Sequence, residues 1–296
     1  MSFFMGGIII ENIYDIWLSC VKMKNSYKLK LLQKYSSKEI WELKEDDFKK
    51  LKIRKNVITE IMNTKRIDII RYIDYMRQKN IRLIEIREKK LYPKRLDYIE
   101  NKPAFLYVRG NIENLYEDNV AVVGSRNETE YGRYVARKIG KELADKNINI
   151  VSGLAVGIDK FAHLGALESS IGKTIAVLGT GVSDEEIYPM QNKRIFERIL
   201  ENGGTIISEY PINTKPLKDN FPERNRIISG ISDGVLVIEA REKSGALITV
   251  DFALEQGKEI FAVPGNINNV YSKGSNQIIK EGAKLVNCVE DILEEI

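Results

Sequence analysis

The chain of 296 residues has little cysteine and less histidine: Cys20, Cys288 and His163. The two cysteines are far apart and lack CxxC spacing, which argues against a disulfide framework and a thiolate zinc site. The same usage fits a reduced, cytoplasmic setting. One histidine with two distant cysteines is also a poor ligand set, so no metal is expected. Long apolar runs are missing. The run Phe3 to Ile10 is too short to span a membrane, and it has neither the basic flank nor the cleavage site of a signal peptide. It reads as a disordered start or an edge of the first helix, and no membrane attachment is expected. Internal repeats and low-complexity linkers are absent.

Common nucleotide and catalytic signatures are missing too. Gly172-Lys173-Thr174 has the ending of a P-loop, but six residues, not four, separate it from Gly165. It also leads into a strand instead of following one. No GxGxxG opens the first βα turn, and no acidic residue follows a second strand as a ribose clamp, which argues against ordinary NAD binding. His163 lies inside a helical stretch with no GxSxG elbow before it, so a structural role fits it better than a catalytic one. Glu209 and Glu239 sit at strand ends where a general base can sit. A structural pairing with Arg224, Arg226 or a neighbouring loop fits them better.

What is present is unevenly placed. Residues 1–100 hold 23 Lys+Arg against 14 Asp+Glu, and the remainder 23 against 28. A basic first third suits nucleic-acid contact, or lysines that simply coat exposed helix faces. Residues 11–62 read as several short helices. Trp17, Leu18 and Val21 give one apolar face, Ser36 and Glu39 form a capping box, and a further helix covers Val57 to Met62. Short helices of this kind suit a SAM-like or helix-hairpin-helix unit, which touches DNA backbone or another protein. An amphipathic helix follows over 67–79, then strands over Ile81 to Glu85 and before Gly110.

From Asn119 the pattern changes to strands alternating with helices. Strands are expected near 120–124, 148–152, 174–178, 204–208, 234–239 and 259–263, with a last one at 284–287. This order predicts a doubly wound, mainly parallel sheet. Ligands bind such sheets at the carboxyl ends of the strands. Those ends carry Gly124-Ser125-Arg126, Gly157-Ile158-Asp159-Lys160, Gly179-Thr180-Gly181, Arg224-Asn225-Arg226 and Ser244-Gly245. A helix following Gly124-Ser125-Arg126 would place free N–H groups and a positive dipole end there, which favours phosphate. Arg126 adds a planar, permanently charged fork. Any one of these glycines can be a plain tight turn; several such loops along one edge point to a phosphate-bearing ligand.

Ordered motifs then extend the pattern. They include Val122-Val123-Gly124-Ser125-Arg126, Ser152-Gly153-Leu154-Ala155 with Gly157-Ile158-Asp159, Ala176 to Gly181 with Tyr188-Pro189, Phe221-Pro222 with Arg224-Asn225-Arg226, Ser244-Gly245, and Val263-Pro264-Gly265. Together they resemble the DprA/Smf (DNA processing protein A) family over about residues 90–287. The resemblance implies an extended Rossmann-like fold with core 119–287 in a domain over 66–296, behind a small helical domain over 1–65. The winged-helix domain of many relatives is expected to be absent. It also implies sequence-independent binding of single-stranded DNA in natural transformation, protection of incoming strands, loading of the RecA recombinase, and a homodimer formed through the Rossmann domain. Carried over, the DNA site takes Gly124, Ser125, Arg126, Gly157, Ile158, Asp159, Lys160, Phe161, Arg224, Asn225, Arg226, Ser244 and Gly245. On physical grounds, Phe161 or Tyr188 offers a stacking face for bases. No catalysis and no cofactor are expected. The alternatives are a nucleotide-processing enzyme of the LOG-type phosphoribohydrolase kind and a nucleotide-binding sensor. The enzyme's Pro-Gly-Gly-x-Gly-Thr loop is missing, and Ser244 to Thr249 stands in its place.

Overall fold

The computed structural model describes residues 4–5, 8–9 and 13–296. Of the apolar run 3–10, only β1 (Phe4–Met5) and β2 (Ile8–Ile9), paired antiparallel, fall within that range. These two strands take the place of the expected helix edge; the rest of the run lies outside the described residues. Short helices follow: α1 (Ile13–Cys20), α2 (Asn25–Leu32), α3 (Ser37–Glu42), α4 (Glu45–Lys50), α5 (Lys55–Thr64) and α6 (Ile69–Gln78). At α3 the capping box is formed: Glu39 N–H donates to Ser36 Oγ at 3.2 Å, and Ser36 N–H donates to Glu39 Oε2 at 2.7 Å. Such a cap stabilises a short helix by about 1 kcal/mol.

The body runs β3 (Ile81–Glu85), β4 (Phe105–Gly110), β5 (Asn119–Val123), α7 (Glu130–Asp145), β6 (Asn149–Ser152), α8 (Ile158–Ala166) and β7 (Thr174–Val177). It continues through α9 (Lys193–Glu201), β8 (Thr205–Ser208), α10 (Asn220–Gly230), β9 (Gly234–Val237), α11 (Gly245–Glu255), β10 (Glu259–Ala262), α12 (Lys273–Lys280), β11 (Lys284–Leu285) and α13 (Glu290–Leu293). Among the described residues nine strands form one sheet in the order β11-β10-β9-β5-β6-β7-β8-β4-β3. All neighbours from β11 to β8 are parallel, while β4 pairs antiparallel with β8 and β3.

Alternation along the buried strands builds both layers, because successive side chains point to opposite faces. Val120 and Val122 pack with Ala136 and Ile139 of α7 and Ala162 of α8. Ala121 and Val123 pack with Ile227 of α10, Val250 of α11 and Ile278 of α12. Farther along the sheet, Phe105 and Tyr107 of β4 share one buried cluster with Trp17, Ile40, Phe48 and Ile61. The N-terminal helices are therefore docked on the sheet by a continuous apolar core. No helix among the described residues is long and apolar enough to cross a membrane.

The strand order sets the position of the site. From β5 the chain winds outward through β6, β7 and β8, then returns to β9 on the other side of β5. Beyond the carboxyl ends of β5 and β9 the loops diverge, and this switch point leaves a crevice.

Candidate nucleic-acid interface

The crevice is a cleft of about 670 Å³. Of the residues singled out in the sequence, Gly124, Arg126, Asp159, Arg224, Asn225, Ser244 and Gly245 line it. Ser125, Gly157 and Ile158 form the layer beneath. Ser125 N–H donates to Glu239 O at 2.8 Å, and Ile158 N–H donates to Ser125 O at 3.1 Å. Gly157 has φ +85°, and a Cβ there would stand 2.2 Å from Ser125 O. This close approach is how the second βα turn holds the first.

Arg126 is exposed. Its guanidinium lies 5.8 Å from the centre of the Phe221 ring. Among the described residues no carboxylate comes within 4.0 Å of it. Phe221 in turn meets Tyr188, ring centres 5.5 Å apart at 48°, and Tyr188 is 47% exposed. Lys218, also exposed, lines the same wall. The cleft thus offers two free cations beside an open aromatic face.

The floor is a buried charge pair of a different kind. Arg224 Nη1 donates to Gly153 O at 2.9 Å and to Val177 O, while its Nε donates to Asn225 Oδ1 at 3.2 Å. Asp159 Oδ2 accepts from Gly153 N–H at 3.1 Å and Ala155 N–H at 3.4 Å. Burial lowers the pKa of the Arg224 guanidinium to about 10, with the neighbouring Asp159 opposing and Arg126 assisting. It stays charged at neutral pH. Burial raises the Asp159 carboxyl, and Arg224 holds it back. Gly153 admits both groups: a Cβ there would sit 2.5 Å from Arg224 Nη2. α8, α10 and α11 all begin at the cleft, so their positive dipole ends add to its field.

Three sequence candidates stand elsewhere. Arg226 is buried in a bidentate pair with Glu209, both contacts 2.7 Å, and its Nε donates to Asn101 O at 2.8 Å. Lys160 and Phe161 do not line the cleft. The Phe161 ring packs on the core below α7 and α8 and carries Lys160 at 5.3 Å and Arg133 at 5.1 Å. The mouth of α7, read from the sequence as a phosphate seat, already holds an anion. Glu239 accepts from Thr129 N–H at 3.0 Å and Thr129 Oγ1 at 2.5 Å, capping that helix. His163 is buried with Nδ1 2.7 Å from Thr174 Oγ1, and burial, with Arg224 adding, depresses its pKa to about 3. Among the described residues no cluster of three or more His, Cys, Asp or Glu side chains is placed to hold a metal ion.

Sequence reasoning missed Lys218 and Phe221 as a unit. Lys218 comes from the segment between β8 and α10 and Phe221 from the first turn of α10, where the only signal was a lysine three residues before an aromatic at a helix start.

Fold and site together define a class: a Rossmann-like α/β protein with a basic, aromatic-walled cleft at the switch point of its sheet. The chain belongs to the DNA recombination-mediator protein A family, whose family model matches residues 83–296. It is 45% identical over 222 residues to Protein Smf of Escherichia coli (strain K12), covering 75% of this chain and 58% of that protein. It is 42% identical over 221 residues to DNA processing protein DprA of Bacillus subtilis (strain 168), covering 74% and 73%. Among solved structures, DNA processing protein A of Streptococcus pneumoniae superposes with a TM-score of 0.82 at 38% identity, covering 97% of this chain and 98% of that one. DNA processing protein A of Helicobacter pylori, described for its single-stranded DNA binding mode, superposes with a TM-score of 0.64 at 30% identity, covering 72% and 94%.

Proposed function

We propose that this protein binds single-stranded DNA without sequence preference in the switch-point cleft. The carrying observation is Arg126: an exposed guanidinium with no carboxylate partner, set against the Phe221 and Tyr188 rings and above the buried charge of Arg224. Such a site takes a phosphate at the arginine and a base on the ring, which suits a flexible strand whose bases are unpaired. A duplex hides its base faces and gains only the phosphate contact.

The same geometry favours binding over hydrolysis. Among the described residues Asp159 is the cleft's only lining carboxylate, and its charge is engaged by two N–H groups and by Arg224. Glu239 is engaged at Thr129. Within this reading the protein shields incoming strands during natural transformation and passes them to a RecA-type recombinase, acting as a homodimer through its Rossmann-like domain. Membership of the DNA recombination-mediator protein A family supports a part in recombination, and the Helicobacter pylori relative's single-stranded DNA binding supports the choice of ligand.

Fluorescence anisotropy with a labelled oligothymidylate and its duplex at two salt concentrations tests the core of the reading. Preference for the single strand, weakened by salt, is expected; equal affinity for both forms, or none, would sink it. Sedimentation at twice the chain mass of 33.9 kDa tests the dimer. Stimulated RecA assembly on single strands tests the hand-over.

A further inference from the structure

The cleft's aromatic wall comes from the loop after β7 and from the first turn of α10, which the loop after β8 leads into; both loops are held by α6, the last of the N-terminal helices. The first loop follows β7 and ends at Tyr188. The second follows β8, carries Lys218 and leads into α10, whose first turn holds Phe221. They are joined to each other: Gly181 N–H donates to Thr214 O at 2.9 Å, and Ser183 N–H donates to Ile212 O at 3.2 Å.

Tyr72 of α6 grips the second loop. Its Oη accepts from Ile212 N–H at 2.8 Å and donates to Tyr107 Oη at 3.0 Å. Tyr107 Oη in turn lies 2.5 Å from Ser19 Oγ of α1. The first loop is gripped beside it. Tyr75 Oη donates to Glu185 Oε2 at 2.8 Å, and Lys79, just past α6, pairs with Asp184 at 2.6 Å. Arg109 of β4 holds the other oxygen of Asp184 at 2.5 Å. Tyr188 stands four residues beyond Asp184, and Phe221 nine beyond Ile212.

We infer that Tyr72 and Lys79 are positioning residues for single-strand binding: the N-terminal helices, through α6, set the spacing of the Tyr188–Phe221 face while touching no DNA themselves. This rests on the cleft being the DNA site. The physical argument is preorganisation. A wall with one ring on an irregular loop and the other on a helix start entered through a loop can take several spacings, and apparent affinity scales with the fraction competent to bind. The α6 contacts raise that fraction. Contacts by Arg126 to phosphate come from the β5 loop, which α6 does not hold, so they survive its loosening.

The test uses the full chain with Tyr72→Phe, Lys79→Met and Lys79→Arg. Each is measured by anisotropy on an oligothymidylate and on an abasic strand of equal length, and by hydrogen exchange over residues 179–188 and 209–219. Loss of one such hydrogen bond is expected to weaken oligothymidylate binding about three- to tenfold in Tyr72→Phe and Lys79→Met. Abasic-strand binding stays within about twofold, exchange in both loops rises, and Lys79→Arg restores the wild-type values. Lys79 is partly exposed, so its variants stay folded even where Tyr72→Phe does not. Wild-type exchange and a wild-type ratio of the two affinities in Lys79→Met would overturn the positioning role while leaving the DNA site intact. Faster loop exchange in the variants of a protein whose wild type binds neither strand would overturn the DNA reading, and with it the role in single-strand binding, while leaving α6 as a clamp on the two loops.

Discussion

Replacing Arg126 by alanine separates binding from folding more cleanly than any other change in the cleft. The guanidinium is exposed, and its intramolecular contact is the stack over Phe221 at 5.8 Å. At a site this open that contact is worth about 0.5–1 kcal/mol at most, so the denaturant midpoint should hardly move. Binding is another matter. A charge-assisted contact to a phosphate contributes about 1–3 kcal/mol, a loss of roughly 5- to 150-fold in affinity. Counterion release adds a second readout: one phosphate fewer neutralised on a single strand lowers the slope of log K against log salt by about 0.7. Arg126→Lys should keep the salt slope, since the charge remains, while losing part of the affinity with the planar fork. The assay is anisotropy of a labelled oligothymidylate across a salt series, paired with chemical denaturation. An Arg126→Ala protein with unchanged affinity and unchanged slope would remove this residue from the site and take the main support from the proposed function.

Arg226→Met should destabilise the fold by about 3–5 kcal/mol by stranding the buried Glu209 carboxylate, and Arg226→Met with Glu209→Leu should recover much of it; denaturant midpoints decide this. Gly157→Ala places a Cβ 2.2 Å from Ser125 O at φ +85°; more than about 1 kcal/mol of stability should be lost, with single-strand binding reduced alongside. His163 has its folded pKa depressed by burial to about 3 from an ordinary 6.5. Between those values the unfolded chain binds a proton that the folded one refuses, so stability is complete above 6.5 and falls on acidification by up to about 1.4 kcal/mol per pH unit. His163→Asn should flatten that part of the stability profile, measured against wild type so that carboxylate titrations cancel.

The body of the fold was legible because its signals are local. β-branched runs such as Val120 to Val123 can be buried on both faces only in a covered strand. Seven such runs alternating with amphipathic helices admit few architectures. The small helical layer was equally readable at Ser36, whose cap needs only a residue three positions on. The candidate site was half legible. Gly124 and Arg126 sit directly after β5, and Asp159, Ser244 and Gly245 at the helix starts that close two further βα turns, where the polypeptide must pass the carboxyl edge of the sheet.

The Arg224-Asn225-Arg226 run shows where legibility stops. It lies in a helix, and residues two apart there point about 200° from each other. One of the two arginines had to face the cleft and the other the far side. Glu209, seventeen positions away on the β8 loop, claims Arg226, while Val177 and Gly153 carbonyls claim Arg224. The α7 mouth has the same lesson. Its free N–H groups follow from any helix start, yet Glu239 of the loop after β9, 110 positions on from Thr129, already sets a carboxylate there on the Thr129 N–H and hydroxyl.

From its sequence alone, then, this chain determines its periodicities, its caps, the β-branched strands and the edge of the sheet on which its polar loops gather. All of these are set by contacts between residues a few positions apart. Only the tertiary structure decides which cations remain free, because a charge is available to a ligand when no other part of the chain has already neutralised it. Arg126 is left open by that competition and Arg226 is not. The ring that Arg126 shares the cleft with, Phe221, stands on the first turn of α10, behind a loop that the N-terminal helices hold.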